Sequence, residues 1–452
     1  MNHYSILDKA KDYAANYLSA LPHRRVFPDS TGLAGLNNLS IQLPDEPDNA
    51  EAALDLLQSA SSATVTSNGA RYFGFVFGGT LPSALAANWL AAAWDQNAAY
   101  KISSPIAAQT EKVAGQWLLD LLHLPQKSAV GFVTGTTMAN FCGLMAAKHA
   151  IYTRKGWNSK LQGTQGAPAI RVVVGDEVHA SMLRALVFAG FGINNLERVP
   201  VDSEGRIIAD QVPETDDATI VCVQAGNVNS GAIDPIQAIC MKANASNTWV
   251  HVDGAFGLWA RASQVKSALA TGCEMADSWA MDLHKWLNVP YDAGVVICKD
   301  PALLHGALSV TAAYLPGEEN AEPCFYTPEL SRRGRGIETW AALYSLGRKG
   351  VADLIDRCCE LAALFARLLA AGGHKILNTV SLNQVLVSFG DAGLTNRIIK
   401  KIQDDGTCWC GGTVWKGTTA MRISVCSWMT TAADIEVCAA VIIKIAKQET
   451  QI

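Results

Sequence analysis

Five short apolar runs punctuate the middle of this 452-residue chain, at 129–133, 169–174, 218–223, 248–252 and 293–298. Each has the length of a strand, and helix-compatible sequence fills most of the gaps between them. Runs that are apolar throughout, rather than alternating, suit strands buried on both faces. Strands of this kind alternating with helices predict a mostly parallel sheet covered on both sides, an α/β architecture. The length calls for two or three domains. The divisions expected are a helical segment over 1–65, a large sheet domain over 66–310, an irregular loop and linker over 311–340, and a small α+β domain over 341–452. Turn signals at Pro28-Asp-Ser-Thr-Gly and Pro44-Asp-Glu-Pro-Asp interrupt the first of these. The loop, containing Tyr314-Leu-Pro-Gly and Ser331-Arg-Arg-Gly-Arg-Gly, is long enough to suggest a functional role. Strand-like 386–389 and 420–425 fit the small domain.

Composition narrows the classes. Hydrophobic residues make up 49% and charged residues only 17%, which argues against long disordered tails. A net charge of -5 with no basic stripe gives no reason to expect a nucleic-acid partner. The first residues carry no apolar core of signal-peptide type, and no run of about 18 apolar residues suggests a membrane span. The expectation is a cytoplasmic protein without membrane association. Twelve cysteines are scattered along the chain, so reduced, buried thiols are expected. Cys408-Trp-Cys410 and Cys358-Cys359 lack a second pair at zinc-ligand spacing, so no metal is expected.

Chemistry concentrates in two segments about 30 residues apart, His251-Val-Asp253-Gly-Ala255 and Asp282-Leu-His284-Lys285-Trp286. Lysines are ordinarily at the surface. Lys285, however, has Met281, Leu283, Trp286, Leu287 and Val289 around it. A desolvated lysine has a lowered pKa and is a competent amine for imine formation. Asp253 ends a predicted strand, where open parallel sheets bind ligands; the plainer role is a turn or cap before Gly254. A carboxylate and a lysine drawn into the interior are costly without partners. Pyridoxal phosphate would partner both, its ring nitrogen taking the aspartate and its aldehyde the lysine. Gly135, Thr136 and Thr137 follow a predicted strand and open a helix, a weak but suitable phosphate site. No P-loop pattern is present. His179, in Gly175-Asp-Glu-Val-His179-Ala-Ser, would on its own be read as structural, with Asp176 or Glu177 as a helix cap.

In order, Thr-Gly-Thr-Thr, Asp-Glu-Val-His-Ala-Ser, His-Val-Asp-Gly-Ala and Asp-Leu-His-Lys-Trp resemble the group II pyridoxal-phosphate-dependent amino acid decarboxylases, a family with aromatic-amino-acid, glutamate and diaminobutyrate members. The likeness runs from about residue 65 to 440 and includes Arg71-Tyr-Phe-Gly-Phe-Val-Phe77, Ser104-Pro105 and Met421-Arg-Ile-Ser-Val-Cys-Ser-Trp. It implies the aminotransferase-like fold of type I and a homodimer with active sites at the interface, residues 1–65 packing across it. It implies that Lys285 takes the cofactor aldehyde and Asp253 the ring nitrogen. His179 and Ala255 would flank the ring. Gly135, Thr136 and Thr137, helped by His284, would hold the phosphate, and Asn227 would stand near the ring hydroxyl, where the family has threonine.

The expected reaction is decarboxylation of an L-amino acid to its amine. In the family a loop tyrosine protonates Cα, and Tyr326 is the candidate, although spacing from Ser331-Arg-Arg points nearer to Pro323. Phenylalanine at that position marks the related oxygen-consuming aldehyde synthases. Phe75, Phe77 and Trp94 fall where the family lines its side-chain pocket, which favours an aromatic or apolar substrate. Arg332, Arg333 and Arg335 offer the alternatives of an acidic substrate or a loop anchor. Arg422 could serve an aminotransferase as its carboxylate clamp. A carbon–carbon lyase shares the fold, but Trp286 after the lysine counts against it.

Overall fold

A computed structural model describes residues 4–46, 49–309 and 322–451. The Tyr314 segment of the expected loop lies outside the described residues. The chain divides into two compact units. One comprises Gly78–Ala362 and Asn378–Gln384; the other combines Met1–Phe77 with Ala363–Leu377 and Val385–Ile452. The boundaries expected at 65/66, 310/311 and 340/341 therefore do not coincide with this division. The reason lies in backbone bonds: Val26 donates its N–H to Gly406 and accepts that of Thr66, and Phe73 bonds Trp409 and Ser424, so the early residues belong with the late ones.

The larger unit is built on a seven-stranded sheet. Its strands are β1 (Ala129–Val133), β2 (Arg171–Gly175), β3 (Glu197–Val199), β4 (Thr219–Gln224), β5 (Trp249–Asp253), β6 (Ser278–Asp282) and β7 (Gly294–Cys298). They lie in the order β1-β7-β6-β5-β4-β2-β3. The strands from β3 to β6 pair in parallel, and β7 is antiparallel to both β6 and β1. The mostly parallel sheet is as expected, and so are its five longer apolar strands, within one or two residues at each end. Every residue of β5, β6 and β7 is buried, which explains why their sequences do not alternate. The helix α1 (Thr136–Arg154) packs on β5, β6 and β7; its buried residues include Ala139, Cys142, Gly143, Ala146 and Ala147, and Gly143 lies against His251 and Ser278. Two strands were not expected. β6, Ser-Trp-Ala-Met-Asp, has no β-branched residue, and β3 is only three residues long.

In the other unit β8 (Lys375–Ile376), β9 (Gln384–Ser388), β10 (Gly411–Trp415) and β11 (Thr418–Ser424) form a sheet in the order β10-β11-β9-β8. β10 runs antiparallel to β11, and β8 to β9. The helical run Gly336–Ala371 is broken at Gly347, whose φ of 60° suits only glycine without strain. All twelve cysteines are free and buried, as expected. Among the described residues no helix is long and apolar enough to cross a membrane.

Candidate active site

β1, β2, β4, β5 and β6 all end at one edge of the large sheet, and their exits carry the expected chemistry. Thr136 follows β1, His179 follows β2, Asn227 follows β4, Asp253 closes β5 and Lys285 follows β6. Carboxyl ends of parallel strands are where open α/β sheets bind ligands.

Lys285 is not alone in apolar surroundings. Its neighbours Met281, Leu283, Trp286, Leu287 and Val289 are buried, but its Nζ stands 2.7 Å from Asp282 Oδ2. The other oxygen of Asp282 accepts the backbone N–H of Thr136 at 2.6 Å and lies 3.4 Å from His284 Nε2. Burial pushes the Asp282 carboxyl up, but Lys285, His284 and the Thr136 N–H outweigh it and hold it below the ordinary range. His284 accepts the N–H of Ala293 on Nδ1 at 3.1 Å, so in its neutral form Nε2 carries the proton that faces Asp282. Burial also holds the imidazole below its usual pKa. Gly135 is required by this crowding. A Cβ there would stand 3.0 Å from both Asp282 Oδ1 and His284 Cε1.

Asp253 is buried, and burial pushes its carboxyl up; His179, Lys285 and the amide of Asn140 counter that push. Its Oδ1 accepts the N–H of Ala255 at 3.2 Å and its Oδ2 the side-chain amide of Asn140 at 3.1 Å. His179 caps the helix α2 (Ala180–Phe188): its Nδ1 accepts the N–H of Ser181 and lies 2.7 Å from Ser181 Oγ. The histidine itself, rather than Asp176 or Glu177, is thus the cap. Asn227 has its Oδ1 occupied by the N–H groups of Asn229 and Ser230.

Two polar atoms bear on the fit of a cofactor. Thr136 Oγ1 and Asn227 Nδ2 are buried with no hydrogen-bond partner among the described residues. Unpaired buried donors are rare without a ligand to satisfy them. They stand at the exits of β1 and β4, and Thr137, next on α1, adds a further N–H at a helix start, a place suited to a phosphate. The residues present fit pyridoxal phosphate.

Other expected residues lie elsewhere or are engaged. Tyr326 packs on His305 and lines a cavity of about 520 Å³ together with Lys127, Ser128, Ala129 and Val130, towards the amino end of β1. The fold therefore does not gather Tyr326 with Lys285 within one chain. Arg332 is paired with Glu111 by two bonds of 2.6 and 2.7 Å, Arg335 with Asp292 at 3.0 Å, and Arg333 with Glu338. Trp94 ends the helix Pro82–Trp94 and is 41% exposed. In the other unit Phe75 stacks on Trp409, tilts against Phe77 and is 54% exposed. Arg422 lies in β11 of that unit.

Sequence reading missed three participants. Asp282 was visible in the motif but carried no assignment. Asn140 is one helical turn after Thr136, a spacing that puts both on the same side of α1. Gly78 packs so closely on the Lys285 carbonyl that a Cβ would stand 1.8 Å from the oxygen, a contact that sequence spacing does not reveal.

The family described as "Pyridoxal-dependent decarboxylase conserved domain" matches residues 36–390. The chain is 26% identical over 389 residues to an aromatic-L-amino-acid decarboxylase of Bacillus atrophaeus, covering 80% of this chain and 78% of that protein. It is 25% identical over 354 residues to an acidic amino acid decarboxylase of Mus musculus, covering 75% and 64%. A crystal structure of the Oryza sativa enzyme TDC with PLP and tryptamine superposes with a TM-score of 0.88 at 21% identity, covering 98% of this chain and 97% of the other. With the match spanning most of its length, the chain belongs to the pyridoxal-dependent decarboxylases, carboxy-lyases that use pyridoxal phosphate on amino acids.

Proposed function

We propose that this protein decarboxylates an L-amino acid with an aromatic or other apolar side chain, at the site built around Lys285 and Asp253. The observation that carries the site is the convergence of five strand exits on one lysine, one buried aspartate and two unsatisfied buried donors. Pyridoxal phosphate supplies the aldehyde that takes the substrate amine and a ring that accepts the electron pair left when CO2 departs. Lys285 would hold the cofactor, and Asp253 would pair with its ring nitrogen. His179 and Ala255 would flank the ring, Gly135, Thr136 and Thr137 with His284 would hold the phosphate, and Asn227 would serve the ring hydroxyl.

The apolar substrate class is supported by the engagement of the three loop arginines. Arg332, Arg333 and Arg335 each already face a carboxylate, so none is left as an obvious reader of an acidic side chain. The working unit is a homodimer. Tyr326 lies towards the amino end of β1 in its own chain, so its role as Cα proton donor requires delivery to the site of a second copy.

A panel of the common amino acids with DOPA and hydroxytryptophan, scored for CO2, amine, aldehyde and peroxide, tests the reading. Amine and CO2 in equal amounts from an aromatic substrate are expected. Preferential turnover of glutamate, aspartate or diaminobutyrate would overturn the substrate class, and aldehyde with peroxide would replace the simple decarboxylation. Unchanged amine output from Tyr326→Phe removes that residue from the mechanism.

A further inference from the structure

Behind Asp253 lies a line of buried polar groups that leads away from the site. Trp249, His251 and Asp253 alternate along β5 and so share one face. His251 pairs in register with Ser278 on β6. Trp249 Nε1 donates to Ser278 Oγ at 2.9 Å, and Ser278 Oγ lies 2.7 Å from His251 Nδ1. His251 Nε2 lies 2.9 Å from Asn140 Oδ1, and the Asn140 amide reaches Asp253 Oδ2. Asn140, His251 and Ser278 are fully buried, so water offers none of them an alternative.

The carboxylate end, with a neutral imidazole, fixes the direction of the bonds. A carboxylate oxygen can only accept, so the Asn140 N–H donates to Asp253 and Asn140 Oδ1 is left to accept from His251 Nε2–H. Burial holds His251 neutral, its pKa lowered to about 3, so Nδ1 carries no proton and accepts from the Ser278 hydroxyl. Ser278 Oγ in turn accepts from the indole N–H of Trp249, which can only donate. Gly143 makes room for the ring, since a Cβ there would stand 2.5 Å from His251 Cε1.

We infer that Asn140, His251, Ser278 and Trp249 are positioning residues, a one-way hydrogen-bond chain that fixes Asp253 and delivers donors to its carboxylate without bringing a positive charge. The last point gives the chain its use. A buried carboxylate needs hydrogen bonds to stay ionised. An arginine or lysine at position 140 would supply them but would also neutralise Asp253, competing with the ring nitrogen for it. A relay of neutral groups leaves the charge available. The inference rests on the assignment of Asp253 to the ring nitrogen.

The test compares pyridoxal phosphate with its deaza analogue, in which CH replaces the ring nitrogen, by equilibrium binding to full-length protein stripped of cofactor. Wild type is expected to prefer the nitrogen-bearing form. A hydrogen bond to a charged group is worth roughly a ten- to hundred-fold change in affinity, and Asn140→Leu should lose that much of the preference while its affinity for the analogue changes little. If wild type shows no preference, the assignment of Asp253 falls and the inference with it. If wild type prefers pyridoxal phosphate but Asn140→Leu weakens both ligands equally, the assignment stands and the relay is merely structural. Should Asn140→Leu fail to fold, ¹⁵N-histidine spectra of the wild-type apoprotein decide, with Ser278→Ala to identify the His251 signals. A neutral Nε2–H tautomer is expected, and an Nδ1–H tautomer overturns the inference.

Discussion

Replacing Glu111 with alanine should destabilise the larger unit far more than an average substitution. Glu111 and Arg332 form a bidentate pair with bonds of 2.6 and 2.7 Å, their side chains only 7% and 1% exposed. Taking away the carboxylate strands a guanidinium in the interior, which costs about 3–5 kcal/mol. For a unit of this size the entropy of unfolding is about 0.6 kcal/mol/K, or about 1.6 °C per kcal/mol, so the melting temperature should fall by about 5–8 °C. Arg332→Ala should cost a similar amount, for the mirror-image reason. The double variant Glu111→Leu/Arg332→Met removes both charges and keeps most of the volume, so it should recover most of the loss. The pair also ties down the segment that follows Glu322: the Arg332 carbonyl accepts the N–H of Ala98, and its own N–H reaches Asn97. Limited proteolysis of Glu111→Ala should therefore cut between 322 and 335 sooner than in wild type. The assay is thermal unfolding by circular dichroism on the full chain, the four proteins side by side. Single variants melting within about 2 °C of wild type, or a double variant as unstable as the summed singles, would falsify the argument.

Three further outcomes can be measured on the same chain. Gly135→Ala should weaken cofactor binding by at least roughly tenfold with little change in the circular dichroism spectrum, since the new methyl must displace Asp282 or His284; wild-type affinity would show that the cradle tolerates a Cβ. Asp282→Asn should be less destabilising than Asp282→Ala, because the amide oxygen can still accept the Thr136 N–H while both lose the Lys285 pair; equal melting temperatures would leave that hydrogen bond without a role. Asp234 has its carboxyl pushed up to about 6 by burial, so its contribution to stability is complete below about pH 4 and is lost as pH rises through 6, by about 3 kcal/mol. The stability difference between wild type and Asp234→Asn should shrink by that amount between pH 4 and 7, and a difference that does not change with pH refutes it.

The large sheet was legible because its strands are buried on both faces, which writes continuous apolar runs into the sequence. β6 escaped because Trp279 and Met281 fill its space without β-branching. The unit boundaries escaped for another reason: the contacts of Val26 and Phe73 with residues beyond 400 are non-local, and no composition shift announces them. The placement of Lys285, Asp253, Thr136 and His179 at strand exits was legible because each follows or closes an apolar run and has a motif around it. Asn140 and His251 were not, because a buried amide and a buried imidazole declare themselves only through the partners that tertiary packing brings. The arginines of Ser331-Arg-Arg-Gly-Arg-Gly illustrate the same limit. Their sequence allowed a binding loop or an anchor, and the carboxylates of Glu111, Asp292 and Glu338 that face them come from distant parts of the chain that no local pattern announces.

The first of the four passages of the chain from one compact unit to the other falls between Phe77 and Gly78. Gly78 presses on the carbonyl of Lys285, and the N–H of Leu81 is bonded to Asn288, three residues beyond that lysine. The first residues of the larger unit are thus moored on the turn that carries Lys285. Substitutions at Gly78 or Leu81, far from the lysine in sequence, therefore act directly on the turn that sets its position.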